Sequence, residues 1–320
     1  MRPRVVVYDP IRSLDWSYDT EASLLAARDV DLIIPADEEA AWGQLETADV
    51  LIVCDVLPDA AMERLAKCKG ILCYKVGLDG VDVGRATAAG FAVRNVPGYC
   101  TEEVSDHALA LLLAGVRRLG PATAATREGN WDVFDRPDMR SVRRLAALTL
   151  GVIGVGRIGR RVVQKAQAFG MPTIAFDPFL EESPLPHLDL VTFEQILAGS
   201  DAIVLCAALN EGSRRLIDAG ALARMREGVI LVNVARGDLV DEVALLDSLR
   251  SGHIAVAALD VRSQEPPAAD DALAGLSNVI LTPHMAAVSR ESFHDLHVMA
   301  AEQALAILQD SGLLQPGRAS

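Results

Sequence analysis

The sequence is poor in aromatic residues and in positive charge. Only 4% of its 320 residues are aromatic while 51% are hydrophobic, which favours helices packed on aliphatic strands over a β-sandwich. Lys and Arg total 30 against 44 Asp and Glu, a net charge of −14. This excess of acid disfavours nucleic acid and anionic membranes as partners, because both are bound through basic side chains.

Cysteine and long apolar runs are also scarce. The five cysteines form no Cys-x-x-Cys pair and, being odd in number, cannot all pair within the chain, so we expect reduced core thiols and no metal site. The apolar run near the start, Val5–Tyr8, is too short for a signal-peptide core. No stretch approaches the roughly 18 apolar residues of a membrane span. We therefore expect a soluble, cytoplasmic protein.

Two series of short apolar strands alternate with amphipathic segments. The first series is Val5–Tyr8, Leu32–Ile34, Val50–Cys54, Ile71–Tyr74 and Ala92–Arg94. The second is Leu148–Gly154, Thr173–Phe176, Ala202–Cys206, Val229–Asn233, Ala255–Leu259 and Val279–Leu281. Wholly apolar strands separated by helices are typical of parallel sheets covered on both faces. The pattern predicts an α/β protein with two doubly wound parallel-sheet domains.

Three other segments complete this organisation. A helix starting near Thr101, with Thr101 as its cap, is apolar nearly all round, so we expect it to be buried at a domain or subunit interface. Its apolar surface suggests a symmetric homodimer. Residues 129–144 are polar and irregular and are expected to form a loop-rich connection, and a last helix is expected from about Ser289 to Gln309.

A glycine-rich turn follows the first strand of the second series. Gly154, Gly156 and Gly159 have the Gly-x-Gly-x-x-Gly spacing and open an amphipathic segment. In a dinucleotide-binding turn these glycines allow the tight bend, the approach of pyrophosphate to the backbone, and close helix–strand packing. Asp177 ends the next strand, where an acid binds the ribose hydroxyls and repels a 2′-phosphate. We therefore predict NAD as the cofactor.

Polar residues follow three later strands of the same series. Arg236 follows one, Asp260 and Glu265 follow the next, and His284 follows a third. Ligand sites of open α/β sheets form at the carboxyl ends of strands. Each residue alone is more often structural, but together they offer a cation for a carboxylate, an acid/base and a carboxylate that tunes it.

Seven motifs follow one another along the chain: Val76-Gly-Leu-Asp-Gly-Val-Asp82, Asn95-Val-Pro, Thr101-Glu-Glu-Val, the glycine loop, Asn233-Val-Ala-Arg-Gly, Asp260 with Glu265-Pro, and Thr282-Pro-His. This ordered set resembles the D-isomer-specific 2-hydroxyacid dehydrogenases, whose relatives include phosphoglycerate dehydrogenase, glyoxylate/hydroxypyruvate reductase and the C-terminal-binding corepressors. The resemblance implies a Rossmann cofactor domain, residues 99–289, inserted into a flavodoxin-like substrate domain made of residues 1–98 and 290–320.

The resemblance also implies roles for individual residues. Arg236 would bind the carboxylate and carbonyl of a small 2-oxoacid, His284 would be the acid/base, and Glu265 would hydrogen-bond His284 and keep an acid available near neutral pH. Asp260 would contact the nicotinamide carboxamide. The expected cofactor-binding residues are Gly154, Gly156, Arg157, Ile158, Gly159, Asp177, Ala235 and Asp260. The expected substrate-binding residues are Lys75, Val76, Gly77 and Arg236.

The chain departs from the family at two places. Lys75 replaces the first glycine of a Gly-x-Gly turn, either adding positive charge for a dianionic substrate or pointing to solvent. Leu205-Cys-Ala-Ala-Leu209 replaces a proline-containing segment that lines the cofactor in relatives, which leaves the contacts there open.

Two alternatives to a D-2-hydroxyacid dehydrogenase remain open. One is a dinucleotide-sensing, corepressor-like binding module, which the short stretch after the last helix, residues 312–320, disfavours. The other is a dehydrogenase of a phosphorus oxyanion, since Arg236 could bind any compact anion.

Overall fold

The computed structural model describes residues 2–9, 17–132, 137–140 and 142–315. The chain divides into two compact units, one formed by Met1–Cys100 with Ser289–Ser320 and the other by Thr101–Val288. Each unit holds one parallel sheet with helices, which confirms the predicted α/β class. The functions predicted for the two units stay predictions at this point.

The chain forms twelve strands and twelve helices within the described residues, numbered in chain order. The strands are β1 Arg4–Tyr8, β2 Asp31–Ile33, β3 Val50–Val53, β4 Gly70–Cys73, β5 Ala92–Asn95, β6 Leu150–Ile153, β7 Thr173–Phe176, β8 Asp189–Leu190, β9 Ala202–Leu205, β10 Val229–Asn233, β11 Ile254–Leu259 and β12 Val279–Leu281. The helices are α1 Asp19–Ala26, α2 Glu38–Gln44, α3 Asp59–Glu63, α4 Val83–Ala88, α5 Thr101–Val116, α6 Leu119–Arg127, α7 Pro137–Arg140, α8 Arg157–Ala168, α9 Phe193–Gly199, α10 Ala219–Arg224, α11 Glu242–Arg250 and α12 Arg290–Asp310.

The first unit is a five-stranded parallel sheet in the order β2-β1-β3-β4-β5. This is the flavodoxin-like order, in which the chain reverses direction across the sheet beside its first strand. Strands β3 and β4 are buried along their whole length, as their uninterrupted apolar sequences require. Helix α12 returns from the far end of the chain to pack on α1 and on β3, β4 and β5, so this unit is discontinuous in sequence.

The second unit is a seven-stranded parallel sheet in the order β12-β11-β10-β9-β6-β7-β8. Counted from β6 as the first strand, the order is 3-2-1-4-5-6-7, the Rossmann arrangement with one further strand. All its strand pairs are parallel. The switch point lies between β6 and β9, so a ligand of this sheet is expected over the carboxyl ends of these strands.

Helix α5 is buried by its own unit. It packs on α8, β10 and β11, and Val104, Ala108 and Leu112 are among its buried residues. Lys165 of α8 also forms ion pairs with acidic residues of α5. The apolar character of the helix is thus explained within the unit, and the predicted homodimer stays a prediction.

The strand predictions agree with the structure to within two residues at each end, but some elements differ. The two-residue strand β8 and the helix α6 were not predicted, because the first is too short to show a period and the second has no buried residue and hence no apolar face to recognise. Helix α5 begins at Thr101 itself, so the predicted cap lies in its first turn. The predicted connection 129–144 contains α7, and its residues 133–136 and 141 lie outside the described part of the chain.

Two further expectations concern membrane spans and cysteines. Within the described ranges no single helix is long and apolar enough to cross a membrane; α5 and α6 reach that length only as a pair bent by 61°. All five cysteines lie within the described residues, and none of them is in a disulfide. Burial raises the pKa of Cys54 and Cys206 to about 12 and that of Cys68 and Cys73 to about 11, which disfavours the reactive thiolate.

Candidate active site

The glycine-rich turn between β6 and α8 has the geometry that its spacing predicts. Gly154 has φ +92°, a conformation that only glycine adopts without strain, and a Cβ there would lie 2.6 Å from the backbone of Ala207. A Cβ on Gly159 would lie 2.0 Å from the carbonyl oxygen of Gly154. Close packing of turn, helix and neighbouring loop therefore requires glycine at both positions.

Gly156 differs from the other two glycines. It is exposed and caps α8, and a Cβ built on it meets nothing within 4 Å. The turn thus leaves open space at the amino end of α8, whose first residues are Arg157 and Ile158. Free backbone N–H groups and the helix dipole make such a place suitable for a pyrophosphate.

Asp177 follows β7 and is tied to the glycine-rich turn. One carboxylate oxygen accepts the Val155 N–H at 2.8 Å and the other accepts the Phe179 N–H at 3.0 Å. Each oxygen keeps a further lone pair for a ligand hydroxyl. Asp177 is half-buried beside the turn, and its predicted contact with an adenosine ribose stays a prediction.

The segment 205–209 lines this turn. The backbone of Cys206 and Ala207 lies where a side chain on Gly154 would be, so the segment forms a wall of the turn without a proline.

The carboxyl ends of β10, β11 and β12 carry the three predicted catalytic residues. These strands are neighbours in the sheet, and Arg236, Glu265 and His284 lie in the segments that follow them. All three residues therefore lie along the same edge of the sheet as the glycine-rich turn.

Glu265 and His284 form a direct pair. The Nδ1 atom of His284 lies 2.6 Å from Oε2 of Glu265, and the two side chains are 50% and 37% exposed. The pair is thus accessible to a ligand, and Nε2 is the ring nitrogen that does not face Glu265. His284 has φ +51°, a conformation uncommon outside glycine and concentrated at functional sites.

Asp260 holds the loop that carries His284. Its carboxylate is 1% exposed and accepts hydrogen bonds from the hydroxyl of Thr282 at 2.6 Å and from the N–H groups of Met285 and Ala286, each at 2.9 Å. Its carbonyl oxygen accepts the His284 N–H at 2.8 Å. The carboxylate therefore positions the loop, and its predicted contact with a nicotinamide carboxamide stays a prediction.

His107 of α5 joins this buried group and was missed by the sequence reasoning. Its Nε2 lies 3.0 Å from the Thr282 hydroxyl and 3.4 Å from the Asp260 carboxylate. The sequence offers only a weak signal for it, a lone histidine on the apolar face of a helix, which is more often an ordinary core residue.

The loop that carries Arg236 is fixed by a buried asparagine. The Asn233 side chain, 1% exposed, donates to the Arg236 carbonyl at 2.8 Å and accepts the Ala235 N–H at 3.0 Å. Nη1 of Arg236 donates to the Ala235 carbonyl at 2.7 Å. The residue as a whole is half-buried.

The predicted substrate loop belongs to the first unit. Lys75, Val76 and Gly77 follow β4 and are half-buried. The Val76 carbonyl accepts from the Asn95 side chain at 2.5 Å, and the Lys75 carbonyl accepts the Val96 N–H at 3.2 Å. Their role in substrate binding stays a prediction.

The second unit combines a Rossmann sheet with this glycine-rich turn, an acid after the second strand and an exposed Glu–His pair. Together these features define a dinucleotide-dependent oxidoreductase. Within the described part of the chain, no group of three or more His, Cys, Asp or Glu could hold a metal ion. The profile described as D-isomer specific 2-hydroxyacid dehydrogenase, NAD binding domain, matches residues 109–286. The chain belongs to this family, and its cofactor is NAD.

Similar proteins support the same assignment. The chain is 39% identical over 229 residues to D-3-phosphoglycerate dehydrogenase of Archaeoglobus fulgidus, covering 71% of this chain and 43% of that enzyme. It is 35% identical over 298 residues to hydroxypyruvate reductase of Thermotoga maritima, covering 91% and 94%. The crystal structure of Aquifex aeolicus D-lactate dehydrogenase with NAD and lactic acid superposes with a TM-score of 0.84 at 26% identity, covering 97% and 96%. The chain thus spans about half the length of the phosphoglycerate dehydrogenases that it matches, but nearly all of the reductase.

Proposed function

We propose that the protein interconverts a D-2-hydroxyacid and its 2-oxoacid with NAD, using Arg236, Glu265 and His284. The observation that carries the proposal is the 2.6 Å contact between His284 Nδ1 and Glu265 Oε2. It lies on the sheet edge that also carries the glycine-rich turn and the Arg236 loop. The relatives named above act on small acids of this kind.

Arg236 binds the substrate carboxylate. A guanidinium presents planar, parallel N–H donors that match the two oxygens of a carboxylate. The guanidinium also donates to the carbonyl oxygen, and this polarises the carbon that the hydride attacks. The hydrogen bonds of Asn233 to the Arg236 backbone hold the loop in place, so little freedom is lost when the substrate binds.

His284 moves the proton. Its Nδ1 faces Glu265, so Nδ1 carries a hydrogen in both protonation states and Nε2 is the atom that gives or takes the proton. Bound NADH supplies the hydride for reduction of the 2-oxoacid, and NAD⁺ accepts it in the reverse direction. In reduction, Nε2–H protonates the carbonyl oxygen; in oxidation, neutral Nε2 removes the hydroxyl proton. The Glu265 carboxylate stabilises the positive imidazole that each direction passes through.

Residues along the same edge of the Rossmann sheet orient the cofactor. The N–H groups at the start of α8 bind the pyrophosphate, and Asp177 accepts the ribose hydroxyls. A 2′-phosphate would meet the negative charge of Asp177, so NAD is preferred to NADP.

The experiment is NADH consumption by the purified protein with glyoxylate, hydroxypyruvate, pyruvate and 3-phosphohydroxypyruvate. The proposal expects turnover of at least one 2-oxoacid and formation of the D-hydroxyacid. Tight NADH binding without turnover of any acid on a broad panel would contradict the enzyme and favour the corepressor-like binding module. Turnover of a phosphorus oxyanion but of no 2-oxoacid would favour the other alternative.

A further inference from the structure

A buried arginine lies three residues before Glu265. The Arg262 side chain is 9% exposed and forms ion pairs with two acidic residues that are themselves largely buried, Glu242 and Asp271. Its Nε and Nη2 donate to the two oxygens of Glu242, each at 3.0 Å. Nη1 and Nη2 donate to the two oxygens of Asp271 at 2.6 and 3.1 Å. Both carboxylates are therefore bound in the bidentate manner that only a guanidinium allows.

The charges of this group stabilise one another. Although burial opposes ionisation, hydrogen bonds from Arg262 and from the Ser263 N–H lower the pKa of Glu242 below its ordinary value. The hydrogen bond from Arg262 likewise lowers the pKa of Asp271, and the Asp271 hydrogen bond is the main reason that the pKa of Arg262 is raised. All three groups are thus charged at neutral pH.

The two carboxylates anchor Arg262 to different parts of the unit. Glu242 is the first residue of α11 and also accepts the Ser263 N–H at 2.9 Å. Asp271 lies nine residues further along the segment between β11 and β12. Arg262 therefore connects two parts of this irregular segment to each other and to the start of α11.

The backbone of Arg262 touches both loops of the candidate active site. Its N–H donates to Oε1 of Glu265 at 2.8 Å, while Oε2 of the same carboxylate faces His284. A Cβ on Gly237, the residue after Arg236, would lie 1.9 Å from the Arg262 carbonyl carbon. The Arg236 loop thus packs directly on the Arg262 peptide, and glycine is required there.

We propose that Arg262, clamped by Glu242 and Asp271, is a positioning residue that orients Glu265 toward His284 and supports the loop of Arg236. This inference rests on the proposed function. A small displacement of groups that must align for reaction costs far more in rate than in stability. Loss of the clamp therefore acts on the reaction through Glu265.

The test compares Arg262→Met, Glu265→Gln and the double variant. The first readout is the pH midpoint of the His284 imidazole, followed by NMR in the protein without substrate and assigned with His284→Ala. The second is kcat/KM for 2-oxoacid reduction over pH. We expect Arg262→Met to move the midpoint in the same direction as Glu265→Gln and to lower kcat/KM by on the order of tenfold. When Arg262→Met is added to Glu265→Gln, the His284 midpoint should not move beyond that of Glu265→Gln alone.

Two further variants complete the test. Arg143→Met removes an exposed arginine that pairs with Asp201 at 2.7 Å elsewhere in the unit, and it should change neither readout. Arg262→Lys keeps the positive charge but cannot bind both carboxylates in a bidentate manner. It should give a His284 midpoint between those of wild type and Arg262→Met, and it tests the positioning role if Arg262→Met does not fold.

The outcomes separate the two proposals. An unchanged His284 midpoint in a folded Arg262 variant, or an equal additional shift in the double variant, would overturn the positioning role and leave a purely structural ion pair. A wild-type protein that reduces no 2-oxoacid would overturn the proposed function, while the NMR midpoints would still decide whether Arg262 acts through Glu265.

Discussion

The exchange Glu265→Gln tests the Glu–His pair with almost no change in shape. Both oxygens of the Glu265 carboxylate accept hydrogen bonds: Oε1 accepts the Arg262 N–H at 2.8 Å, and Oε2 accepts from Nδ1 of His284 at 2.6 Å. Glutamine has only one acceptor oxygen. With this oxygen at the Arg262 N–H, the amide nitrogen faces His284 and can only donate, and the side chain carries no charge in either arrangement.

The size of the effect follows from the kind of bond that is lost. A hydrogen bond to a charged group contributes about 1.5–3 kcal/mol. Because the two side chains are 50% and 37% exposed, solvent screening makes the lower end, about 1.5 kcal/mol, the appropriate figure. At 1.36 kcal/mol for each factor of ten in rate, kcat/KM should fall by about tenfold.

The direction of the effect is fixed by the charge. The Glu265 carboxylate stabilises the positive charge that the imidazole carries during proton transfer, and glutamine does not. Reduction of a 2-oxoacid and oxidation of the hydroxyacid both pass through the charged ring, so both should be slowed.

The assay is kcat/KM in both directions from pH 5 to 10. Glu194→Gln, which changes a 68%-exposed glutamate of the same unit, serves as the control and should leave kcat/KM unchanged in both directions. An unchanged kcat/KM in folded Glu265→Gln protein would refute the reasoning, since Glu265 would then have no influence on the proton transfer.

The remaining predictions concern the cofactor and the substrate. Gly159→Ala places a Cβ against the Gly154 carbonyl and should lower both the melting temperature and the NADH affinity. Gly156→Ala has room for its Cβ in the free protein and should lower the NADH affinity alone. Calorimetry measures the melting temperature and fluorescence titration the NADH affinity, and equal NADH affinities for Gly156→Ala and wild type would place the pyrophosphate elsewhere. Asp177→Ala should shift the ratio of kcat/KM for NADH and NADPH toward NADPH, and an unchanged ratio would contradict its ribose role. Lys75→Ala should reduce kcat/KM more for a dianionic than for a monoanionic 2-oxoacid, and equal losses would indicate a lysine without substrate contact.

Much of the fold was predictable because its signals are local. Apolar strands such as Val50–Val53 and Val229–Asn233 are buried throughout, and a parallel sheet requires such strands. The turn at Gly154 was predictable because its φ of +92° and its close contacts demand glycine. In contrast, the two-residue strand β8 is too short for any period to be recognised.

The supporting residues of the site could not be predicted in the same way. Arg262 occupies a loop, and only the folded chain brings it to Glu242, twenty residues earlier, and to Asp271. His107 reaches Thr282 across 175 residues of sequence. Asp260 was predicted as a ligand contact. Its burial and the three hydrogen bonds that it accepts depend on the tertiary structure and leave no local pattern in the sequence.

The most direct test of the proposed chemistry is kcat/KM of His284→Ala with NADH and the best 2-oxoacid, measured beside the NADH dissociation constant. Loss of the proton donor should lower kcat/KM by at least about a hundredfold while NADH binding stays within about twofold of wild type. Near-normal turnover, or turnover lost together with NADH binding, would contradict the assignment of His284 as the acid/base.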